Sequence, residues 1–189
     1  MGLPKLIAIC GAKRSGKDTI AMHLVSKHGY ERLALADPIK SVVGLLFGFT
    51  DAQMETDDKE TIDERWGVSP RAALQFFGTE VMQYKIQELL PGIGRLFWTR
   101  CLVNKIDPGK TYVISDVRFH HECDALREAG AFVIKLDRPS VQSSDAHASE
   151  VEQRDIAGDA YITNDGGIEG LLSKVDAMLV ELDNPLATK

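Results

Sequence analysis

The stretch LIAICGAKRSGKDT, residues 6–19, decides the fold of this chain. Its first five residues form a short apolar run that is typical of a buried strand, and Gly11 closes the run. The following GAKRSGKD nearly matches the phosphate-binding pattern G-x-x-x-x-G-K-[ST], in which a glycine-rich loop joins a strand to a helix. The departure is Asp18, which stands where the pattern has a serine or a threonine.

This loop has the parts that phosphate binding requires. Gly11 and Gly16 permit backbone conformations that a side chain would obstruct, so successive N–H groups can point at phosphate oxygens at the start of a helix. Lys17 can reach the outer phosphates. Magnesium prefers oxygen ligands, so Asp18 can replace the missing hydroxyl directly or through water, and Thr19 is a second candidate ligand. The alternative is a strand-to-helix turn that has its glycines and lysine by chance.

Strand-like and helix-like segments alternate along the rest of the chain. Such alternation predicts an α/β fold with a mostly parallel sheet that is flanked by helices, and a ligand site beyond the carboxyl ends of the strands. The predicted strands are residues 5–12, 30–36, 111–117, 131–139 and 160–166. The predicted helices are residues 16–29, 37–48, 69–90, 94–106, 120–130 and 168–182.

Composition limits the classes of protein to which the chain can belong. With 189 residues, of which 44% are hydrophobic and 26% charged, it suits one soluble globular domain. The net charge of -6 argues against a broad basic surface for nucleic acid. The three cysteines are far apart, which argues against a disulfide framework. Without a secretory leader or a membrane-length apolar run, the chain is predicted to be cytoplasmic.

Two further groups of polar residues are candidates for a site. Arg71, Gln75 and Thr79 follow at i, i+4 and i+8 in a predicted helix, so they share one face, although that face could simply be solvated. A predicted strand ends near Asp116, and Arg118 lies two residues on. A carboxylate at a strand end can organise magnesium, and an arginine can hold a phosphate in a bidentate grip. The alternative is a capping aspartate and a surface arginine.

Two long polar segments are predicted as connections. Residues 139–158 read as a lid, because Arg138 and Arg154 flank them and could close over a nucleotide to exclude water. An ordinary exposed loop is the alternative for this segment. Residues 50–67 are polar and acidic, which predicts a mostly exposed loop.

The motifs GAKRSGKDT, DPIK, RAALQFFGTE, SDVRFHHECDAL, RPS, SDAHASE and YITNDG occur in the order seen in bacteriophage deoxynucleoside monophosphate kinases, which the chain resembles from about Leu6 to Val175. The resemblance implies a three-layer P-loop NTPase fold in one domain, residues 1–189. It further implies a helical monophosphate-binding insertion at about 38–108 and a lid at about 139–158. In that family an aspartate after the loop lysine is normal, so Asp18 is expected to serve a working loop.

The activity implied by this resemblance is transfer of the γ-phosphate of ATP to a deoxynucleoside monophosphate, with Mg²⁺ as cofactor. ATP is expected to bind at Gly11, Arg14, Ser15, Gly16, Lys17, Asp18, Thr19 and Arg138. The monophosphate is expected to bind at Lys13, Lys40, Arg71, Gln75, Thr79, Asp116, Arg118 and Glu122. The expected metal ligands are Asp18, Thr19 and Asp116. The residues expected to act in catalysis are Lys17, Asp116, Arg118 and Arg138.

Several alternatives stay open at this point. A kinase for another small phosphorylated acceptor, such as phosphomevalonate or dephospho-coenzyme A, would need similar parts, and so would a nucleotide-binding protein without turnover. The choice of base and of sugar is open because residues 50–67 match the family poorly. The apolar segment LLFGF, residues 45–49, fits either the core or an interface, so a homodimer is open as well. A viral chain would work in the host cytoplasm, on a small-molecule partner rather than on nucleic acid or a membrane.

Overall fold

The computed structural model describes residues 2–141 and 148–184 of the chain. They form two compact units, which we call the sheet unit and the helical unit. The helical unit is Leu35–Leu102, and the sheet unit comprises Met1–Ala34 and Val103–Lys189. The predicted monophosphate-binding insertion at about 38–108 corresponds closely to the helical unit, and its binding role stays a prediction.

The sheet unit is built on five parallel strands within the described residues, in the order β2-β3-β1-β4-β5. The strands are β1 Leu6–Cys10, β2 Glu31–Leu33, β3 Tyr112–Val117, β4 Phe132–Asp137 and β5 Ala160–Thr163. Each predicted strand is present, and the predicted parallel sheet is confirmed. Because β1 is the central strand, the loop that follows it leaves the middle of the carboxyl edge, where ligands of such sheets bind.

The helices, in chain order, are α1 Lys17–His28, α2 Ala36–Phe47, α3 Asp51–Glu55, α4 Pro70–Gln75, α5 Phe97–Val103, α6 His120–Glu128, α7 Ala148–Asp155 and α8 Ile168–Asp183. The first helix ends as its sequence predicts, because Gly29 takes a left-handed conformation (φ 72°) and its N–H bonds back to the carbonyl of Leu24. In the described part of the chain, no helix is both long enough and apolar enough to span a membrane.

The core of the sheet unit contains strand residues and residues of α1 and α8. Ile7, Ile9 and Ile134 of the strands are buried in the same cluster as Leu24 and Val175 of the helices. Parallel strands that are covered on both faces read as continuous apolar runs, which explains the run in β1. Each such side chain contributes about 1.5–3 kcal/mol when it leaves water. This packing fixes α1, and with it the loop from which α1 starts.

The long helix predicted at residues 69–90 is only partly an α-helix. It begins as predicted, with the Ser69 hydroxyl accepting a hydrogen bond from the N–H of Ala72 and with Pro70 in the first turn. After α4, however, Phe76–Tyr84 is a π-helix and Lys85–Glu88 is a 3₁₀-helix. The predicted helix is therefore present, but its hydrogen-bonding pattern changes along its length. The apolar spacing predicts a helix but does not distinguish α from π hydrogen bonding.

Residues 50–67 are more structured than the predicted exposed loop. Thr50 and Gln53 form a capping box that starts α3, and Asp57–Glu60 forms a 3₁₀ turn. Asp63 is buried, and its carboxylate accepts hydrogen bonds from Arg65 (2.7 Å) and from the side chain of Gln53 (3.0 Å). The segment is mostly exposed, as predicted, but it is not all loop, because the T-x-x-Q capping signal within the acidic composition starts a helix.

Candidate active site

The phosphate loop, residues 11–18, connects β1 to α1 and requires glycine at two positions. A Cβ at Gly11 would lie 2.3 Å from the carbonyl oxygen of Leu136, so a side chain cannot fit there. Gly16 has a φ of 110° and stands directly before α1. Arg14 also takes a left-handed conformation, with a φ of 64°, which is uncommon for a residue other than glycine. Backbone geometry therefore explains the glycines of the motif.

The side chain of Lys17 folds back over this loop. Its ammonium donates to the carbonyl oxygens of Gly11 (2.6 Å) and Ala12 (2.7 Å). The loop also holds the hydroxyl of Ser15, which is fully buried and has no hydrogen-bond partner among the described residues. An unpaired buried polar group costs about 1–3 kcal/mol, and a native protein rarely keeps one without a reason.

A cleft of about 230 Å³ opens beside the loop. It is lined by Arg14, Gly16, Lys17, Asp18, Thr19 and Arg138, which are six of the eight residues predicted to bind ATP. Arg138 follows β4 and reaches the loop, where its guanidinium donates to the carbonyl oxygen of Arg14 at 3.0 Å. Drug-sized ligands usually occupy about 300–1,000 Å³, so the cleft suits a polyphosphate better than a whole nucleotide.

Asp18 is held by a residue that the sequence did not predict. The hydroxyl of Ser115, on β3, donates to Oδ1 of Asp18 at 2.8 Å. Ser115 is 1% exposed, whereas Asp18 lies in the exposed first turn of α1. The available signal was the position of Ser115 near the carboxyl end of a strand, where parallel strands bring their ligands together.

Asp116 lies near the end of β3, Arg118 in the turn that follows, and Glu122 in the first turn of α6. The carboxylate of Glu122 accepts hydrogen bonds from the backbone N–H groups of Arg118 (2.8 Å) and Phe119 (3.1 Å). Burial raises the pKa of Glu122 to about 7, against the opposing effect of these two bonds. Glu122 therefore shapes the turn that presents Arg118. Its predicted contact with the monophosphate stays a prediction.

Asn164, which follows β5, also supports the phosphate loop. Its side-chain amide donates to the carbonyl oxygen of Ser15 at 2.8 Å, and its backbone N–H donates to the carbonyl of Asp137 at 2.7 Å. A Cβ at Gly16 would lie 3.0 Å from this amide nitrogen, so the two residues are closely packed. The sequence assigned no site role to Asn164; its place directly after a strand was the signal that could have suggested one.

Comparison with known proteins shows the family to which the chain belongs. The model of the deoxynucleotide monophosphate kinase family matches residues 5–59 and 45–175. The chain belongs to this family. A protein of Acanthamoeba polyphaga mimivirus, provisionally named a deoxynucleotide monophosphate kinase, is 38% identical in an alignment of 181 positions that covers 90% of this chain and 93% of that protein. The deoxynucleotide monophosphate kinase of Enterobacteria phage T4 is 28% identical in an alignment of 233 positions that covers 90% of this chain and 97% of the phage protein.

Solved structures agree with the fold. A gluconokinase from Sinorhizobium meliloti 1021 superposes with a TM-score of 0.53 at 15% identity, covering 99% of this chain and 98% of the other. At that identity the likeness shows the fold alone, and it confirms the predicted three-layer P-loop kinase fold. The resemblance to the deoxynucleotide monophosphate kinase family is likewise confirmed, by the family match.

Four residues that the family resemblance predicts for the monophosphate lie in the helical unit. The ammonium of Lys40 is 2.8 Å from both carboxylate oxygens of Glu55, and Nε of Arg71 is 3.1 Å from Oε1 of Glu60. Both cations are thus paired with acidic residues of the 50–67 segment. The other two predicted residues are Gln75, which is exposed, and Thr79, which is half-buried in the π-helix.

The helical unit has a cleft of its own, with a volume of about 440 Å³. Charged and apolar groups share its lining: Asp37, Lys40 and Glu55 are charged, whereas Phe49 and Met54 are apolar. With three carboxylates (Asp37, Asp51 and Glu55) against the one ammonium of Lys40, this lining does not by itself favour an anionic group. Of the four residues named for the monophosphate in this unit, Lys40 lines the cleft.

The predicted lid at about 139–158 falls partly outside the described residues. Residues 142–147 are not described, and only the backbone is described for residues 148–151. The end of α7 is anchored to the sheet, because the ammonium of Lys135 donates to the carbonyl oxygen of Arg154 at 3.1 Å. Closure of this segment over a nucleotide stays a prediction.

Proposed function

We propose that this protein transfers the γ-phosphoryl group of ATP to a deoxynucleoside monophosphate and so produces the diphosphate. The observation that carries the proposal is the cleft at the phosphate loop, where Lys17, Asp18 and Arg138 meet in a chain of the deoxynucleotide monophosphate kinase family. The names of the viral relatives support the same acceptor class.

The reaction joins two anions, so it depends on positioning and charge neutralisation more than on covalent chemistry. An oxygen of the acceptor phosphate attacks the γ-phosphorus, the bond from that phosphorus to the β–γ bridging oxygen breaks, and ADP leaves. The attacking oxygen is already anionic, so no strong base is required. Lys17 and the backbone N–H groups of the loop bind the outer phosphates. Arg138 adds positive charge to the same cleft.

Magnesium fits the donor set at this cleft. Asp18 and Thr19 offer a carboxylate and a hydroxyl, and Mg²⁺ prefers such oxygen ligands while retaining several waters. We assign these two residues as its ligands, with Asp116 near the end of β3 as a third candidate. When bound, Mg²⁺ neutralises charge on the β- and γ-phosphate oxygens. The chain itself contributes the orientation of the carboxylate, since Ser115 bonds to it.

For the acceptor, we propose that Arg118 binds the phosphate of the monophosphate. It lies two residues after Asp116, at the carboxyl edge of the sheet, and Glu122 fixes its backbone. Lys13, in the phosphate loop, is a second cation of the sheet unit that we assign to the acceptor. In the helical unit, Lys40 and Arg71 are the corresponding cations, and an anionic acceptor would have to compete with the acidic residues that now pair with them.

The setting that we propose is the cytoplasm, the host's in the case of a viral chain, with a small molecule rather than nucleic acid as partner. The net charge of -6 supports a small molecule over nucleic acid as the partner. A homodimer is also compatible with the structure, because one part of the segment LLFGF is exposed and another part is buried. Leu45 is 84% exposed on α2, whereas Phe49 is buried.

The deciding experiment is ADP release from Mg-ATP, with dAMP, dGMP, dCMP, dTMP and GMP offered one at a time. We expect turnover that depends on an acceptor and falls by about 100-fold or more in Lys17→Ala, the size of losing one preorganised electrostatic group. Lys85→Ala removes an exposed lysine and is the matched control. Near-normal turnover in Lys17→Ala would refute its role. Silence with every acceptor, despite bound ATP, would instead favour another phosphorylated acceptor or a protein that only binds.

A further inference from the structure

Asp18 and Ser115 form a pair of a carboxylate and a hydroxyl, and each group stands where nucleotide-binding loops usually have the other. In nucleotide-binding loops that follow the full pattern, a hydroxyl comes directly after the lysine and a carboxylate comes from a neighbouring strand; together they hold Mg²⁺. In this chain the carboxylate is the residue after the lysine, Asp18, and the hydroxyl is on the strand, at Ser115. The two side chains are joined by a hydrogen bond of 2.8 Å.

The second carboxylate near this strand end does not replace Ser115 in the pair. Asp116 is the next residue along β3, in a stretch where the pairing of β3 with β1 shifts register between the pair of Ala8 with Ile114 and the pair of Cys10 with Val117. The residue whose side chain bonds to Asp18 is Ser115, which is 1% exposed. The strand therefore presents a buried hydroxyl to the first turn of α1.

Burial explains why the exchanged arrangement is stable. A hydroxyl can be buried at low cost when it is hydrogen-bonded, whereas a buried carboxylate is far more expensive. In the structure the hydroxyl has the buried position and the carboxylate has the exposed position beside the cleft. A carboxylate has about four lone-pair sites, and Ser115 donates to one of its oxygens. The bond thus restricts the rotation of Asp18 and leaves it acceptor capacity toward the cleft.

We propose that the loop and strand have exchanged the carboxylate and the hydroxyl, and that Ser115 is the residue that positions Asp18 for the magnesium of a bound Mg-nucleotide. The proposal rests on the proposed function, because it requires a Mg-nucleotide in the cleft at the phosphate loop. It adds a positioning residue that lies outside the loop motif and explains how a loop without the usual hydroxyl can hold the metal.

The test measures ADP binding by calorimetry, once with Mg²⁺ and once with EDTA, so that neither an acceptor nor phosphoryl transfer is involved. For the wild-type chain we expect tighter binding with Mg²⁺. Mg²⁺ is thus expected to increase the affinity for ADP, and Ser115→Ala is expected to reduce this increase by about 10-fold or more, as for other groups that orient a metal ligand. Binding in EDTA is expected to be unchanged. Asp18→Asn is expected to remove the increase, and Ser26→Ala, an exposed serine of α1, is the matched control.

A second variant keeps the test decisive if the first one is too unstable to use. If Ser115→Ala does not fold, Ser115→Cys keeps nearly the same volume with a much weaker donor and is expected to show the same loss. Wild-type magnesium dependence in folded Ser115→Ala or Ser115→Cys overturns the proposal. A chain that binds Mg-ADP with this dependence but phosphorylates no monophosphate refutes the proposed function and leaves the positioning role standing.

Discussion

The side-chain amide of Asn164 ties the end of β5 to the phosphate loop. It donates to the carbonyl oxygen of Ser15, and the residue is only 8% exposed. Ser15 precedes Gly16 and Lys17, so this bond constrains the part of the loop from which the lysine extends. In a site that works by positioning, such a constraint affects the affinity for phosphate as well as the stability of the fold.

Asn164→Ala is expected to lower kcat/KM for ATP by about 10-fold or more, because it leaves a buried carbonyl unpaired at a cost of about 1–3 kcal/mol. The KM of the monophosphate is expected to change little. Steady-state kinetics with each substrate varied in turn, together with a thermal melt, would check this. Asn104→Ala, which changes an exposed asparagine, is the control. A variant with a lowered melting temperature but normal ATP kinetics would show that Asn164 serves the fold alone.

The residues of the loop motif could be predicted, because their spacing is local. Gly11, Gly16 and Lys17 lie within seven positions of one another, and the backbone needs their residue types wherever phosphate is bound. Ser115 and Asn164 could not be predicted in the same way. They contact the loop across separations of 97 and 149 residues, which no local pattern contains. Only the rule that strand ends converge would have pointed to them.

The last turn of α1 is joined to α8 by a cluster around Asp176. Oδ1 of Asp176 is 2.8 Å from Nε2 of His23 and 2.9 Å from Nε2 of His28, and Oδ2 is 2.8 Å from the ammonium of Lys27. The two imidazoles and the carboxylate lie within 4.8 Å of one another, as metal ligands do, but the ammonium completes an ion-pair network. The cluster fixes the end of the helix whose first turn carries Lys17. Cations at a helix C-terminus also complement its dipole.

Burial alone would raise the pKa of Asp176, but hydrogen bonds from Lys27, His28 and His23 outweigh it and hold the pKa well below its usual range. The folded chain therefore binds fewer protons at this carboxylate than the unfolded chain. Its contribution to the free energy of unfolding is present above the usual pKa of about 4 and is lost as the pH falls below that value.

Asp176→Asn is expected to lower the free energy of unfolding by roughly 1–2 kcal/mol at pH 7, because a charged acceptor of several hydrogen bonds is replaced by a neutral one. The loss is expected to shrink as the pH falls below about 4, toward the lowered pKa of the folded chain. Urea unfolding across this range would measure it. Asp183→Asn, at the exposed end of α8, is the matched control. An equal loss at pH 3 and pH 7 would mean that shape, not charge, explains the effect.

Two features of the helical unit could not be predicted from sequence patterns, namely its ion pairs and its π-helix. The acidic composition of residues 50–67 predicts a mostly exposed loop, because the sequence does not show which cations pair with its carboxylates. In the structure, Glu55 and Glu60 pair with Lys40 and Arg71, which come from α2 and α4. Similarly, the apolar spacing after Phe76 predicts a helix correctly but not its π form, which depends on backbone bonding rather than on residue type.

Across the full chain, alternating strands and helices predicted the sheet unit well, because each βα segment carries its own periodicity. The division into two units was harder to predict. The buried cluster of the helical unit is small: Val43, Phe49, Met54 and Ala73. The cluster of the sheet unit includes residues from β1, β3, β4, β5, α1 and α8. This contrast predicts different local stabilities in the two units.

Native-state hydrogen exchange is therefore expected to be slowest in β1 and β4 and faster by about 10-fold or more in α4 and in Phe76–Tyr84. A core below about 70–80 residues rarely supplies more than 3–5 kcal/mol, and local opening draws on the less stable elements. Mg-ADP at 100 times its Kd adds about 2.7 kcal/mol to the state that binds it, so exchange in α1 is expected to slow further. Mass spectrometry of deuterium uptake, with and without Mg-ADP and with Lys17→Ala as control, measures both effects. If α4 is protected as strongly as β1 without nucleotide, the helical unit unfolds only with the rest of the chain, and the expected difference in stability is wrong.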